Sequence, residues 1–110
     1  MLKNKKIGFI GGGNMAEALI KGLVSASFIE GKNILVSEPS EPKRDALHTA
    51  YKIKVTADNH ELTKKCDIII LAVKPQILSE VLGDIRSLVN RDKLVISVAA
   101  GVPIAIMDRD

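Results

Sequence analysis

The sequence predicts an α/β fold, an open parallel sheet in the strand order 3-2-1-4-5 with helices on both faces. Three observations predict it. Short apolar runs, Ile7–Ile10, Asn33–Val36, Cys66–Val73 and Leu94–Val98, alternate with stretches whose apolar residues recur at helical spacing. The hydrophobic fraction is 46%, yet only Phe9, Phe28 and Tyr51 are aromatic, the Ile/Val/Leu/Ala content of strands buried on both faces. The first run passes straight into Gly11-Gly12-Gly13 and then into a helical pattern, the order that a phosphate-binding strand-turn-helix requires.

That turn works through its main chain. The first amides of a helix have no internal partners and lie at the positive end of its dipole, so a diphosphate is held there without a lysine. In the G-x-G-x-x-A pattern of Gly11 to Ala16, Gly11 allows the tight turn, Gly13 leaves room for a pyrophosphate, and Ala16 lets the helix pack closely on the sheet. Glycine clusters also serve as plain turns, so the context decides. Here a strand precedes the glycines, and Met15, Leu19, Leu23 and Ala26 follow at helical spacing with Glu17, Lys21 and Ser25 between them.

Gly31 is the expected stop after the first helix, and the strand ending at Val36 completes a β-α-β unit. Glu38 then falls at the tip of the second strand, ~20 residues past the glycines, where dinucleotide folds meet the adenosine ribose. A carboxylate there accepts hydrogen bonds from ribose hydroxyls and repels the extra phosphate of NADP, so of the two cofactors NADH and NADPH, Glu38 favours NADH. Ser37, Ser40, Lys43 and Arg44 are the counterargument, a set able to hold a 2′-phosphate if Glu38 turns outward.

A second helix is expected over Pro42–Ala50 and an alternating edge strand over Tyr51–Val55. His48 and His60 have no Ser, Cys or carboxylate at triad or metal spacing and read as surface histidines. Asn59 reads as the cap of a short helix containing Leu62. The Cys66–Val73 run is apolar on both faces and should be central. Lys74-Pro75 turns the chain away at the carboxyl end of the sheet, with Lys74 either near an anionic ligand or simply solvated. Gln76–Asn90 is a helix whose Leu78, Leu82, Ile85 and Val89 form its core face. The fifth strand runs into Ala99-Ala100-Gly101, small residues that allow a flat ring to approach or simply make a turn.

A length of 110 residues gives one domain, short for an enzyme with separate cofactor and substrate parts. The net charge of +3 is scattered, so no nucleic-acid surface is expected. One cysteine excludes an internal disulfide and offers no metal cluster, which fits a reduced, cytoplasmic setting. The basic start lacks the long apolar run of a signal peptide or membrane span, so no membrane partner is expected.

With these segments in order, the chain resembles the N-terminal dinucleotide-binding (Rossmann) domain of the pyrroline-5-carboxylate reductase family. The resemblance rests on Gly8–Ala16, Leu71–Gln76 and Ser97–Val102, three stretches at matching separations. It implies a cofactor-binding domain over residues 1–103 and, over 104–110, the start of a connection to a helical C-terminal domain absent here. It further implies that Ile10, Gly11, Gly12, Gly13, Asn14 and Met15 line the pyrophosphate, and Glu38 the ribose. Asn59, Ala72, Val73, Lys74, Pro75, Val98, Ala99 and Ala100 would line the path to the nicotinamide. In such an enzyme, NADPH or NADH reduces 1-pyrroline-5-carboxylate to L-proline, and the absent domain makes the homo-oligomer and most of the pocket for this small-molecule substrate. No catalytic residue is assigned to this segment, which should bind cofactor with little turnover. Glu38 departs from the family, whose members often carry Ser, Thr or an Asn-Arg pair there. A non-catalytic dinucleotide sensor, or another two-domain reductase of the hydroxyisobutyrate or F420-dependent type, are the competing readings.

Overall fold

The computed structural model describes residues 4–98 and 102–103. Its sheet runs β3-β2-β1-β4-β5-β6, and the first five strands in this row are parallel, as the sequence predicts. They are β1 (Ile7–Ile10), β2 (Ile34–Ser37), β3 (Lys54–Thr56), β4 (Ile68–Leu71) and β5 (Leu94–Ser97). A two-residue β6 (Val102–Pro103) pairs antiparallel with β5, an addition to the expected order. Four helices connect the strands: α1 (Asn14–Ser25), α2 (Glu41–Tyr51), α3 (Asn59–Lys65) and α4 (Pro75–Ile85).

Side-chain alternation divides the strands between two cores. Ile7, Phe9, Ile34 and Val36 point to one face and pack with Ala16 and Ile20 of α1 and Leu47 of α2. Ile10, Leu35, Ile69, Leu71 and Val95 point to the other and pack with Leu62 of α3 and Val81 and Ile85 of α4. The crossovers thus place one pair of helices on each face.

Four local expectations are corrected. The buried stripe of α1 is Ala16 and Ile20, while Met15 is 50% and Leu19 37% exposed, so the helix is turned by one position from the expected face. Helix α1 also stops well before Gly31. Ser27 takes the left-handed conformation at φ 60, with Ser27 N–H donating to Val24 O and Phe28 N–H to Leu23 O, a Schellman closure without glycine. Helix α2 runs on to Tyr51, so β3 begins only at Lys54, after Lys52 in a left-handed cap. Finally, α4 ends at Ile85 in a 3-10 turn over Arg86–Leu88, short of the expected Asn90.

Candidate cofactor site

Each strand of a parallel sheet ends at the same edge, and here the exits are tied to one another. Gly11 N–H donates to Ser37 O at 2.8 Å, Ala72 N–H to Ile10 O at 2.9 Å, Val98 N–H to Leu71 O at 3.2 Å, and Glu38 N–H to Thr56 O at 2.9 Å. The residues that follow β1, β2, β4 and β5 therefore stand in one row at the carboxyl edge. This is where open α/β sheets bind their ligands.

Within that row the three glycines answer to different demands. Gly11 has φ +104, and a Cβ on it would lie 2.6 Å from Ala72 O, so both the turn and the neighbouring strand exclude a side chain. Gly12 is buried against Leu47 and Glu38. At Gly13, by contrast, a Cβ would meet nothing within 4 Å. Nothing among the described residues occupies the space above it, which is the room the sequence reading reserves for a pyrophosphate. Gly13 is also the N-cap of α1 and supplies no side-chain hydrogen bond to the first turn. The amides there stay available to an anion, and the residues present fit a dinucleotide phosphate.

Glu38 is 7% exposed, with one carboxylate oxygen accepting from Gly12 N–H at 2.9 Å and the other from Ser40 N–H at 2.8 Å. The carboxylate thus fastens the glycine turn to the tip of β2. A carboxylate offers about four acceptor sites, so two remain for ribose hydroxyls. Arg44, from α2, donates through one nitrogen to the carbonyls of Glu38 and Pro39. It braces the backbone under the carboxylate. Next to it, a cleft of about 350 Å³ is lined by Gly12, Gly13, Asn14, Glu17, Lys43 and Leu47, among others.

Asn59 reaches this edge, though not as a cap. Asp58 is the N-cap of α3, accepting from His60 N–H at 2.9 Å, because it precedes the helix and has extended backbone. Asn59 instead accepts a hydrogen bond from the Ser37 hydroxyl at the end of β2, beside Glu38. Ala72 and Val73 flank Gly11, and Lys74 is the extended N-cap of α4 with Pro75 in its first turn, both exposed. Asn14 and Met15 are exposed in the first turn of α1, whereas Ile10 is 2% exposed and supports the turn from the core. Ala99 and Ala100 lie outside the described residues.

The Glu38–Gly12 clamp, the Ser37–Asn59 bond and the Arg44 brace are the parts that sequence reasoning missed. Ser37 and Arg44 stood out in the sequence only as phosphate ligands. The bond from Ser37 to the Asn59 side chain and those from Arg44 to main-chain carbonyls are set by how closely α3 and α2 approach the end of β2, which no spacing rule encodes.

A larger cavity of about 500 Å³ lies at the amino ends of the strands, lined by Lys6, Lys32, Lys54 and Lys65 together with Asp45 and Glu61. The carboxyl ends of α2 and α3 face that side and carry negative dipole ends, which disfavours a phosphate. His60 is exposed and paired with Asp84 of α4 at 2.9 Å, and His48, also exposed, hydrogen-bonds the carbonyl of Ile53 at 2.7 Å, consistent with surface roles. Among the described residues no cluster of metal-ligating side chains occurs.

The model of the "NADP oxidoreductase coenzyme F420-dependent" family matches residues 6–101. The chain belongs to this family. Within the NADP oxidoreductase family, the chain is similar to curated pyrroline-5-carboxylate reductases. It is 44% identical over 104 residues to that of Methanosarcina acetivorans, covering 94% of this chain and 38% of the relative. It is 45% identical over 98 residues to that of Escherichia coli, covering 89% and 36%. Among solved structures, the Plasmodium falciparum pyrroline carboxylate reductase with NADP bound superposes with a TM-score of 0.74 at 36% identity, covering 86% of this chain and 33% of that one. The Coxiella burnetii pyrroline-5-carboxylate reductase gives 0.80 at 29%, covering 96% and 39%. The chain thus spans less than two-fifths of the length of these relatives.

Proposed function

We propose that this chain is the dinucleotide-binding part of a pyrroline-5-carboxylate reductase, which reduces 1-pyrroline-5-carboxylate to L-proline. The observation that carries this reading is Gly13, a glycine with no steric reason of its own at the start of α1, facing open space at the carboxyl edge. The similarity to curated reductases over 94% of the chain supports the choice of reaction. When bound, the nicotinamide supplies the hydride. This chain's residues bind and orient: the α1 amides hold the pyrophosphate, Glu38 and Asn59 stand beside the ribose, and Ala72 to Pro75 with Val98 border the ring's path. Substrate contacts and the homo-oligomer belong to a helical C-terminal domain, so residues 1–110 alone bind cofactor and turn over little, since alignment of the two reactants provides much of the rate. The single cysteine, buried as a thiol, fits work in the cytoplasm.

For the cofactor, we infer a preference for NADH over NADPH. The Glu38 carboxylate is turned inward onto Gly12, not outward as a 2′-phosphate site would need, which supports a role for its charge beside the ribose. Calorimetric titration of both cofactors into the wild type and Glu38→Ser tests this. Tighter binding of NADH that is lost or reversed in the variant is expected, and an unchanged preference would sink the inference. Conversely, robust proline formation by residues 1–110 alone would refute the division of labour.

A further inference from the structure

Strand β2 ends in a buried hydroxyl, that of Ser37, which is 3% exposed. Alternation puts it on the same face as Leu35, the face over which α3 begins. The Ser37 carbonyl accepts from Gly11 N–H at 2.8 Å, and its hydroxyl donates to the side-chain oxygen of Asn59, the first residue of α3. One residue thus touches the glycine turn through its main chain and α3 through its side chain.

Burial decides the direction of the side-chain bond. With the Asn59 amide turned over, Nδ2 would donate to Ser37 Oγ, and the buried hydroxyl proton would have no other acceptor among the described residues. With Oδ1 taken, the group left to Asn59 is its NH2. Nothing among the described residues accepts from it, and the side chain is only half-buried. Thr63, 0% exposed, holds the residue's main chain by donating through Oγ1 to Asn59 O at 2.8 Å. Asn59 is therefore fixed at both ends with one donor unused. At the tip of β2, Glu38 keeps acceptor sites after its bonds to the amides of Gly12 and Ser40. A donor and an acceptor together complement a sugar hydroxyl, which both accepts and donates.

We propose that Ser37 is a positioning residue for the cofactor, holding the Asn59 amide so that its NH2 donates to the adenosine ribose 2′-hydroxyl while Glu38 accepts from it; this rests on reading the carboxyl edge as a dinucleotide site. Without the Ser37 hydroxyl the amide turns freely. Its oxygen then faces the ribose as often as its nitrogen, and the hydroxyl meets two acceptors in place of a donor and an acceptor.

Calorimetric titration of NADH and of its 2′-deoxyadenosine analogue into the full-length protein tests the assignment. Ser37→Ala should weaken NADH about tenfold, the worth of one hydrogen bond, and the analogue by less than about twofold. The analogue's retained affinity shows that the variant is folded. Ser37→Thr, which keeps the hydroxyl, should bring NADH back to within about twofold of the wild type. In an Asn59→Ala background, Ser37→Ala should add no further loss, because the group it orients is gone. Equal weakening of both nucleotides by Ser37→Ala, or no weakening of either, overturns the positioning role and leaves the dinucleotide site standing. A wild type that binds neither nucleotide overturns both.

Discussion

Gly11 and Gly13 separate folding from binding within one turn. Gly11→Ala forces a side chain into a left-handed conformation and against Ala72 O, so a loss of about 2–4 kcal/mol in a denaturant titration is expected. Gly13→Ala meets nothing in the protein, so stability should change by no more than about 1 kcal/mol while cofactor affinity falls at least tenfold by calorimetry. If Gly13→Ala bound the dinucleotide normally, the pyrophosphate would have to lie elsewhere. Cys66 gives a third test. Burial, the main cause, pushes its thiol up to about 11, against the opposing pull of Lys93, so alkylation in the native protein should be far slower than after unfolding. At this scale the sequence was informative where chemistry is carried by residue type. The glycines and Glu38 are placed by spacing alone, whereas the partners of Ser37 and Arg44 depend on approach distances that appear only once α3 and α2 are packed at the end of β2.

Helix ends and helix pairs show where element-level reading stops. The sequence marks Gly31 as the stop of α1 because glycine adopts left-handed backbone freely, yet the Schellman bonds close on Ser27. Ser27→Gly should therefore stabilise the protein by about 0.5–1 kcal/mol, read as a rise in Tm. The face of α1 was misread for a related reason. Two apolar stripes run along it, and the one that is buried, Ala16 and Ile20, is chosen by the direction in which the glycine turn launches the helix. Between α3 and α4, the His60–Asp84 pair holds the imidazole above its ordinary range through the carboxylate hydrogen bond and charge. Because the folded-state value is raised, the stabilisation is fully present below the unfolded value, ~6.5, and fades as pH rises through the folded one. Asp84→Asn should flatten that part of the Tm–pH curve, and an identical curve in the variant would show the pair to be inert.

The whole molecule is legible from its alternation of strands and helices because a parallel sheet leaves few choices. Once Gly11 to Ala16 fixes the first β-α-β unit, right-handed crossovers bring β2 and β3 to one side and β4 and β5 to the other. The strand β6 was not legible, since two residues carry no period. Nor was the bareness of β4 on one face: a run apolar on both sides announces burial, and the half-exposed Ile68 and Ile70 depart from that rule only because no described helix crosses them.

The bond from Glu38 to Gly12 has a consequence for redesign. One carboxylate accepts from the amides of Gly12 and Ser40, so under the proposed role of Glu38 at the ribose, cofactor choice and turn rigidity would be coupled. A replacement aimed at NADPH removes the acceptor of a buried amide along with the negative charge, a loss of about 1–3 kcal/mol. Glu38→Gln, which keeps an oxygen for one of the two amides, should loosen the turn less than Glu38→Ala. An exchange of cofactor preference here therefore calls for at least two substitutions, one to admit the phosphate and one to give Gly12 a new partner.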